Sequence, residues 1–423
     1  MKTTVLAFLA GMFAALAIEA TAQSPGPRFR PDGRDADAYG RRDRYPACSK
    51  NDYVTKQRCR VGAFSHFDTL FPTRTIAAPK APSRLARAPT EPNIRYTYLG
   101  QSSTLDGYLD RQPITGFLIA KGDTILLERY QYARTDKHRL ASFSMAKTIT
   151  GLLVGIAVND SAIRSIDDLA ETYVHELHGT EYGRTPIKAL LQMSSGVAYK
   201  EDTSNLSNLS NPNADLATLY RSTLGREPGG IIAGVRHFNT RVAAPGQRWN
   251  YSSAETAVLG LVVAAATRRN MSDYAREKLW VPLGAEADAK WALDATGREV
   301  PYGYFNATLR DWGRLGLMLA HDGKWNDKTI VPREWLLAAT TIAPNDSHLR
   351  FSKNSYWAGY GYQMWLIPGN HRMFALQGIR GQFVMVDPET KLVLVQTAAR
   401  EADDQAADKE LLAIFQAASS QLR

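Results

Sequence analysis

The pattern of apolar positions divides the chain into a weakly patterned lead and a periodic body. Periodicity is weak over 24–92, where Pro, Arg, Asp and Ala dominate, and becomes regular near Ile94. Apolar runs at 117–120 and 125–128 flank a Lys-Gly-Asp-Thr turn, which predicts a β-hairpin. A second hairpin is predicted at 383–396, around the turn Asp-Pro-Glu-Thr.

Helical patterns fill most of the chain between the two hairpins. Residues 145–158 are apolar enough for a buried helix, and 309–321 has amphipathic spacing. The stretch 166–292 is mainly helical in pattern, and a last helix is predicted at 408–420. Strands at both ends with helices between them predict an α+β fold: an antiparallel sheet flanked by helices, with an all-helical subdomain at roughly 150–300.

The first residues have the pattern of a secretory signal peptide. A positive Lys2, an apolar stretch over 5–18 and an A-x-A cleavage site at 20–22 mark residues 1–22 as a removable segment. A single membrane anchor is the alternative, although the apolar run is short for one. We therefore expect a periplasmic or secreted protein without a stable membrane anchor after cleavage.

Export places the two cysteines in an oxidising compartment. Cys48 and Cys59 are then predicted to form a disulfide, with two free thiols as the alternative. They lie in an Arg/Pro-rich segment, 23–93, which is predicted to be an N-terminal extension with one small ordered region at 48–71. Residues 94–423 are predicted to form the main domain.

Composition excludes several classes of protein. Hydrophobic residues make up 44% and charged residues 22%, so the chain is neither disordered throughout nor a coiled coil. The net charge of +9 is dispersed, and no basic helix with interleaved aromatic residues predicts a nucleic-acid partner. The eight histidines lack metal-ligand spacing, and no nucleotide-binding fingerprint is present, so no metal and no cofactor is predicted.

One candidate for nucleophilic chemistry is Ser144-Met145-Ala146-Lys147, an S-x-x-K motif. Residues three apart share a helix face, so Lys147 can reach the Ser144 hydroxyl. A serine hydroxyl needs a base to become a good nucleophile, and a lysine can act as that base if burial lowers its pKa. The backbone N–H groups at a helix start also favour an oxyanion. A lone motif of this kind is equally compatible with a capping serine and a surface lysine.

Two later segments offer partners for this serine. Tyr251 follows a Pro-Gly turn in PGQRWNYSS, and a phenol beside a lysine could relay a proton to a leaving group. In QGIRGQ, at 377–382, glycines permit close approach of backbone to a ligand, and the Gln382 N–H is a candidate oxyanion donor. A core tyrosine and an ordinary bend into a strand are the alternatives.

In this order the three elements resemble the serine β-lactamase/penicillin-binding-protein superfamily. The resemblance points to its class-C-related branch, which includes esterases, D-aminopeptidases and 6-aminohexanoate-dimer hydrolases, and it extends over roughly 94–415. LLQMSSG at 190–196 and FNATLRDWGRLGLMLAHDGKW at 305–325 are similar as well. The resemblance implies a β-lactamase-like fold with the active site in the cleft between its two parts.

The resemblance also assigns roles to individual residues. It implies Ser144 as the acylated nucleophile, Lys147 as its base and Tyr251 as the proton relay. The backbone N–H groups of Ser144 and Gln382 would form the oxyanion hole. These roles define a serine hydrolase that acts on a small-molecule amide or ester without a cofactor.

Departures from the family pattern concern substrate binding. Ser253 stands where β-lactamases carry the Asn of Tyr-x-Asn, and Ile379-Arg380-Gly381 replaces Lys-Thr-Gly. Arg380 could substitute for the missing lysine, and Tyr199 is a further pocket candidate. Substrate contacts are therefore predicted at four positions: Tyr199, Ser253, Arg380 and Gly381.

The departures favour the amidase and esterase side of the branch. A β-lactamase or DD-peptidase that acts on lactams or peptidoglycan peptides is the first alternative. The second is a non-catalytic peptide sensor on the same scaffold. Nothing in the sequence indicates the oligomeric state.

Overall fold

The computed structural model describes residues 26–203, 211, 213–401 and 404–423. The predicted signal peptide, 1–22, lies outside the described residues. Within the described part of the chain, each helix is too short or too polar to cross a lipid bilayer.

The chain alternates between short strands and helices. The strands are β1 (Arg28–Phe29), β2 (Thr73–Ile76), β3 (Ala86–Arg87), β4 (Arg95–Tyr98), β5 (Gln101–Thr104), β6 (Ile114–Lys121), β7 (Thr124–Tyr130), β8 (Leu140–Ala141), β9 (Ala289–Ala292), β10 (Phe305–Ala307), β11 (Lys324–Trp325), β12 (Lys328–Thr329), β13 (Gly359–Tyr360), β14 (Trp365–Ile367), β15 (Met373–Gly378), β16 (Gln382–Asp387) and β17 (Leu392–Ala398). The helices are α1 (Gln57–Ala63), α2 (Leu105–Arg111), α3 (Met145–Asn159), α4 (Ile187–Leu191), α5 (Asp215–Ser222), α6 (Gly230–His237), α7 (Ser253–Thr267), α8 (Met271–Ala275), α9 (Leu309–Ala320), α10 (Arg333–Thr340) and α11 (Gln405–Gln421).

The main sheet joins the two predicted hairpins. Its order is β1-β7-β6-β17-β16-β15-β14-β13, and β3 also pairs with β7. Strand β17 runs antiparallel to β6, with Leu394 opposite Ile119, so segments from distant parts of the chain lie side by side. Only the short strands β1 and β3 run parallel to their partner, among the strands described. The predicted α+β class is confirmed.

Helices cover both faces of this sheet. On β17, Val393 and Val395 belong to the same hydrophobic core as α9, whereas Leu392 and Leu394 pack into a second core with α11. Successive side chains on a strand point to opposite faces. Because both faces are buried, the strand is a continuous apolar run rather than an alternating one.

The helical part is built around α3 and α7, which pack against each other. Nearly all of α3 is buried, as its apolar sequence predicts. The stretch 166–292 contains less regular helix than its pattern predicts, because it includes 3-10 turns such as Ala170–Thr172 and ends in β9. That strand joins a second sheet of order β2-β9-β10-β8.

The Arg/Pro-rich segment is integrated into the domain, which corrects its predicted form as a separate extension. Strand β2 pairs with β9, and β1 and β3 lie along β7. Tyr53 is buried and its hydroxyl lies 3.2 Å from that of Tyr304 in the main domain. The predicted Cys48–Cys59 disulfide is present. The paired strands are only two to four residues long, and Tyr53 makes its contact from irregular backbone, so no periodic pattern revealed these contacts.

Candidate active site

Ser144 lies at the start of α3, immediately after a strained turn. Phe143 adopts a left-handed backbone conformation, with φ of 42°, which costs a non-glycine residue about 1–3 kcal/mol. The turn is held because the Ser142 N–H donates to Phe305 O at 3.0 Å and the Ser142 hydroxyl accepts from the Phe305 N–H at 3.0 Å. This strained turn places a half-buried Ser144 at the helix N-terminus.

Lys147 reaches Ser144 from the next turn of the same helix. Its Nζ donates to Ser144 Oγ at 2.9 Å and to the carbonyl oxygen of Tyr302 at 3.1 Å. The side chain is buried, and burial lowers the pKa of its amine from 10.5 to about 8, against an opposing effect of the Glu201 carboxylate. Lys147 can therefore release and accept a proton close to neutral pH.

Tyr251 approaches the same point from the loop before α7. The Lys147 Nζ lies 4.9 Å from the centre of the Tyr251 ring, within the range of a cation–π contact. The ring packs against Trp365, with centroids 5.4 Å apart. The structure therefore brings together the serine, the lysine and the tyrosine that the motifs singled out.

The LLQMSSG segment fixes the loop that carries Tyr251. The Asn250 N–H donates to Met193 O at 2.7 Å, and the Gly246 N–H donates to Ser194 O at 2.8 Å. On the other side of the loop, the buried Glu255 of α7 accepts from the Ser195 N–H at 3.1 Å and from the Ser195 hydroxyl at 2.5 Å. This segment therefore supports the Tyr251 loop from outside the cavity.

A cavity of about 260 Å³ opens beside Ser144, between the main sheet and the helical part. Two carboxylates and several aromatic side chains face it, and the described residues that line it include no lysine and no arginine. The lining residues are Ser144, Glu201, Thr203, Tyr251, Tyr356, Trp365, Gln377, Ile379, Gln405 and Asp408.

Strand β15 closes the cavity next to the nucleophile. A side chain at Gly378 would place its Cβ only 2.3 Å from the carbonyl oxygen of Ser142, so this position has room for glycine alone. The following residue, Ile379, lines the cavity. The end of β15 therefore lies directly against the turn that carries Ser144.

The predicted second oxyanion donor needs a correction. Gln382 pairs with Gly378 from the neighbouring strand β16, and its side-chain amide donates to Ala398 O at 2.8 Å. It does not line the cavity, whereas Ile379 does. The glycine-rich segment lies at the site as expected. The pairing of β15 with β16, however, places Ile379 rather than Gln382 at the cavity.

None of the four predicted substrate contacts is in the described lining of the cavity. Tyr199 is buried edge-on against Phe238 at 4.9 Å. The Arg380 guanidinium donates to the Arg400 carbonyl at 3.3 Å. Gly381 has φ of 90°, a left-handed backbone conformation that favours glycine, so the turn itself accounts for a glycine at this position. These positions shape the surroundings of the site and not its surface.

Ser253, the fourth predicted contact, binds the carboxylate of Glu201, a residue that the motifs did not indicate. Its N–H and hydroxyl donate to the two Glu201 carboxylate oxygens at 2.8 and 2.6 Å. Asp408, Tyr356 and Trp365 were missed as well. Each of them reaches the cavity from an element far away in the sequence, so no motif indicated it. For Glu201 the one available signal was the polar Ser253 at a motif position.

The comparison with known families agrees with this geometry. The Beta-lactamase family model matches residues 104–419, which is most of the chain. The chain therefore belongs to the beta-lactamase family and is a hydrolase of this serine type. The resemblance inferred from the motifs is confirmed.

Individual relatives refine the position within this family. The chain is 27% identical over 345 residues to the 6-aminohexanoate-dimer hydrolase of Paenarthrobacter ureafaciens. This alignment covers 80% of this chain and 84% of the relative. A candidate 6-aminohexanoate-dimer hydrolase from Bacillus anthracis superposes with a TM-score of 0.78 at 21% identity, over 88% of this chain and 98% of that one. A D-stereospecific amidohydrolase from Streptomyces gives 0.53 at 18% identity, over 72% and 95%. The two structures show the shared fold.

Proposed function

We propose that this chain is a serine hydrolase that cleaves amide or ester bonds through an acyl-enzyme on Ser144. The observation that carries the proposal is the 2.9 Å contact between Lys147 Nζ and Ser144 Oγ, beside the cavity that Tyr251 also lines. A nucleophile within hydrogen-bond reach of its base, next to a proton donor, is the arrangement that acyl transfer needs.

The reaction follows from these positions. Neutral Lys147 accepts the Ser144 proton while Oγ bonds to the substrate carbonyl carbon. The N–H groups of Ser144 and Ile379 stabilise the oxyanion. Tyr251 protonates the leaving amine or alcohol as the carbonyl–heteroatom bond breaks, and the Lys147 ammonium returns a proton to the tyrosinate. Water then attacks the acyl-enzyme by the reverse proton path and releases the acid.

The charge of the cavity favours neutral or amine-bearing acyl compounds. Its lining carries Glu201 and Asp408, and the Arg380 guanidinium is bound elsewhere. A substrate carboxylate, such as that of a β-lactam, has no lining cation to pair with among the described residues. The names of the relatives, a 6-aminohexanoate-dimer hydrolase and a D-stereospecific amidohydrolase, support linear amides as substrates.

We also propose that the mature enzyme works outside the cytoplasm. The pattern of residues 1–22 supports this location, and so does the Cys48–Cys59 disulfide, because disulfides persist in oxidising compartments.

A substrate panel tests the proposed activity. It comprises p-nitrophenyl short-chain esters, linear aminohexanoate oligomers, D-amino-acid peptides and nitrocefin, assayed with the mature chain and with Ser144→Ala. We expect ester and linear-amide turnover that exceeds nitrocefin cleavage and is lost in the variant. Faster nitrocefin or D-peptide cleavage would identify the lactamase or peptidase alternative. A stable acyl adduct without turnover would identify a sensor.

A further inference from the structure

Among the described residues that line the cavity, Glu201 has a carboxylate that is bound by the first residue of a helix. Both of its oxygens accept hydrogen bonds from Ser253, the first residue of α7. The partial positive charge of a helix N-terminus stabilises an anion there. The carboxylate is therefore bound by the residue that stands in place of the Asn of Tyr-x-Asn.

The other lining carboxylate has a different environment. The Arg400 Nη1 donates to Asp408 at 2.6 Å, and both side chains are buried, so this charge is neutralised locally. Glu201 lines the same cavity, beside Ser144 and Tyr251, and its hydrogen bonds come from the uncharged Ser253.

The surroundings of Lys147 single out Glu201 among charged groups. Ser144 Oγ, the Tyr302 carbonyl and the rings of Tyr251 and Tyr302 face the amine, at 2.9, 3.1, 4.9 and 5.7 Å respectively. Glu201 lines the same cavity as Ser144, whose Oγ this amine contacts. The Glu201 carboxylate opposes the effect of burial, which lowers the pKa of the Lys147 amine. Burial raises the pKa of each phenol near Glu201, so these groups stay neutral: Tyr182, Tyr199, Tyr302, Tyr304 and Tyr360.

The proposed reaction creates a charge at this buried position. When Lys147 takes the Ser144 proton, an ammonium forms in a site where burial disfavours it. A fixed carboxylate nearby offsets this penalty, and the low dielectric of the interior strengthens its effect. A neutral amide side chain at residue 201 would not offset the penalty for burying the ammonium.

We propose that Glu201, held by the residue at the position of the β-lactamase asparagine, is a positioning residue that stabilises the Lys147 ammonium during acylation. The inference rests on the proposed function, because it assigns Glu201 a part in the same proton circuit.

The test is the pH dependence of kcat/KM for a p-nitrophenyl ester in wild type, Glu201→Gln and Asp408→Asn. We expect Glu201→Gln to move the acid limb to lower pH by about one unit, the effect of one neighbouring charge. The plateau should fall roughly tenfold, the equivalent of one pKa unit. Asp408→Asn, which removes a carboxylate from the same cavity, should leave the midpoint of the limb in place whatever it does to the rate.

An unmoved acid limb in Glu201→Gln, or an equal shift in both variants, would overturn the inference. Glu201→Asp keeps the charge and should keep the wild-type midpoint, which separates the charge from the packing of the side chain. If wild type turns over no ester or amide, the proposed function fails instead. Nitrogen-15 NMR titration of Lys147 in wild type and Glu201→Gln then decides the inference, because it needs no turnover.

Discussion

At the scale of single residues, two effects set the proton affinity of Lys147, the proposed base. Burial lowers its pKa from 10.5 to about 8, and the Glu201 carboxylate opposes a further fall. An exposed lysine would remain protonated at neutral pH and could not act as a base. The buried helix α3 therefore both positions the amine and sets its proton affinity.

We expect kcat/KM to rise with pH through a midpoint near 8, because the neutral form of Lys147 is the base and dominates only above its pKa of about 8. The measurement is a pH–rate profile with a p-nitrophenyl ester. Lys147→Arg, which keeps the charge but does not deprotonate, should be inactive throughout. A profile that is flat between pH 6 and 9, or an active arginine variant, would contradict the role of Lys147 as base.

Glu255 is a second buried ionisable group, and it acts on stability. It lies in α7 under the LLQMSSG segment, and burial raises its pKa from 4.5 to about 8. The folded protein thus keeps a proton that the unfolded chain releases between these values. Stability from this group is fully present below pH 4.5 and is lost as the pH rises towards 8.

Glu255→Gln should therefore be more stable than wild type at pH 8, and the difference should shrink towards pH 5. Between the two pKa values, the difference in unfolding free energy should change by up to about 1.4 kcal/mol per pH unit. Urea denaturation at several pH values measures it. A constant difference across this range would show that Glu255 does not titrate as described.

Sequence spacing predicted the Ser144–Lys147 contact but not Glu201. The first two residues share one helix, so their geometry follows from the helical repeat alone. Glu201 meets Ser253 through the folding of a loop, for which the sequence contains no periodic signal. The sequence predicts Gln382 and not Ile379 as the oxyanion donor for a related reason, since the backbone path of a turn decides which of its residues faces the cavity.

At the scale of elements, the approach of β15 to the start of α3 sets the width of the site. A Cβ on Gly378 would lie 2.3 Å from the Ser142 carbonyl, and neither backbone segment can move alone, because both are hydrogen-bonded in place. Gly378 is therefore the point at which the end of β15 and the turn before α3 approach too closely for a side chain.

Gly378→Ala should separate these two elements and lower both stability and activity. We expect a loss of about 1–3 kcal/mol in unfolding free energy, as in other overpacked sites. Activity should fall by about 10²-fold, the effect of displacing a catalytic group by an ångström. Gly26→Ala is the control, because a Cβ there meets nothing within 4 Å. Equal ester hydrolysis by the two variants would mean that β15 does not define the site.

The regular elements were predictable, and the irregular ones were not. Both hairpins and the helices α3, α9 and α11 lie where the sequence pattern predicted them. The segment before residue 94 escaped prediction because very short strands and single side chains, rather than a periodic pattern, bind it to the domain.

At the scale of the whole molecule, this early segment supports the catalytic turn. Phe64 packs edge-on against Phe143 with ring centroids 4.8 Å apart, and its carbonyl accepts from the Ala141 N–H at 2.8 Å. The disulfide between Cys48 and Cys59 closes a loop with a sequence separation of 11 next to this contact. The segment therefore contributes to stability without lining the cavity.

Replacing both cysteines by serine should lower stability by about 3 kcal/mol, because the cross-link restricts the unfolded chain. Ester kcat/KM at 25 °C should stay unchanged, since no residue of the loop lines the described cavity. Urea denaturation and a p-nitrophenyl ester assay measure the two quantities. A double variant as stable as the oxidised wild type would contradict the stabilising role.

The most direct test of the account is covalent labelling by a fluorophosphonate, followed by peptide mapping. Ser144 should carry the adduct in wild type and in Ser161→Ala, a control that changes an exposed serine beyond the end of α3. Ser144→Ala should keep the wild-type circular dichroism spectrum and lose the label. Persistent labelling of the folded Ser144→Ala variant at another serine would contradict the assignment of the nucleophile.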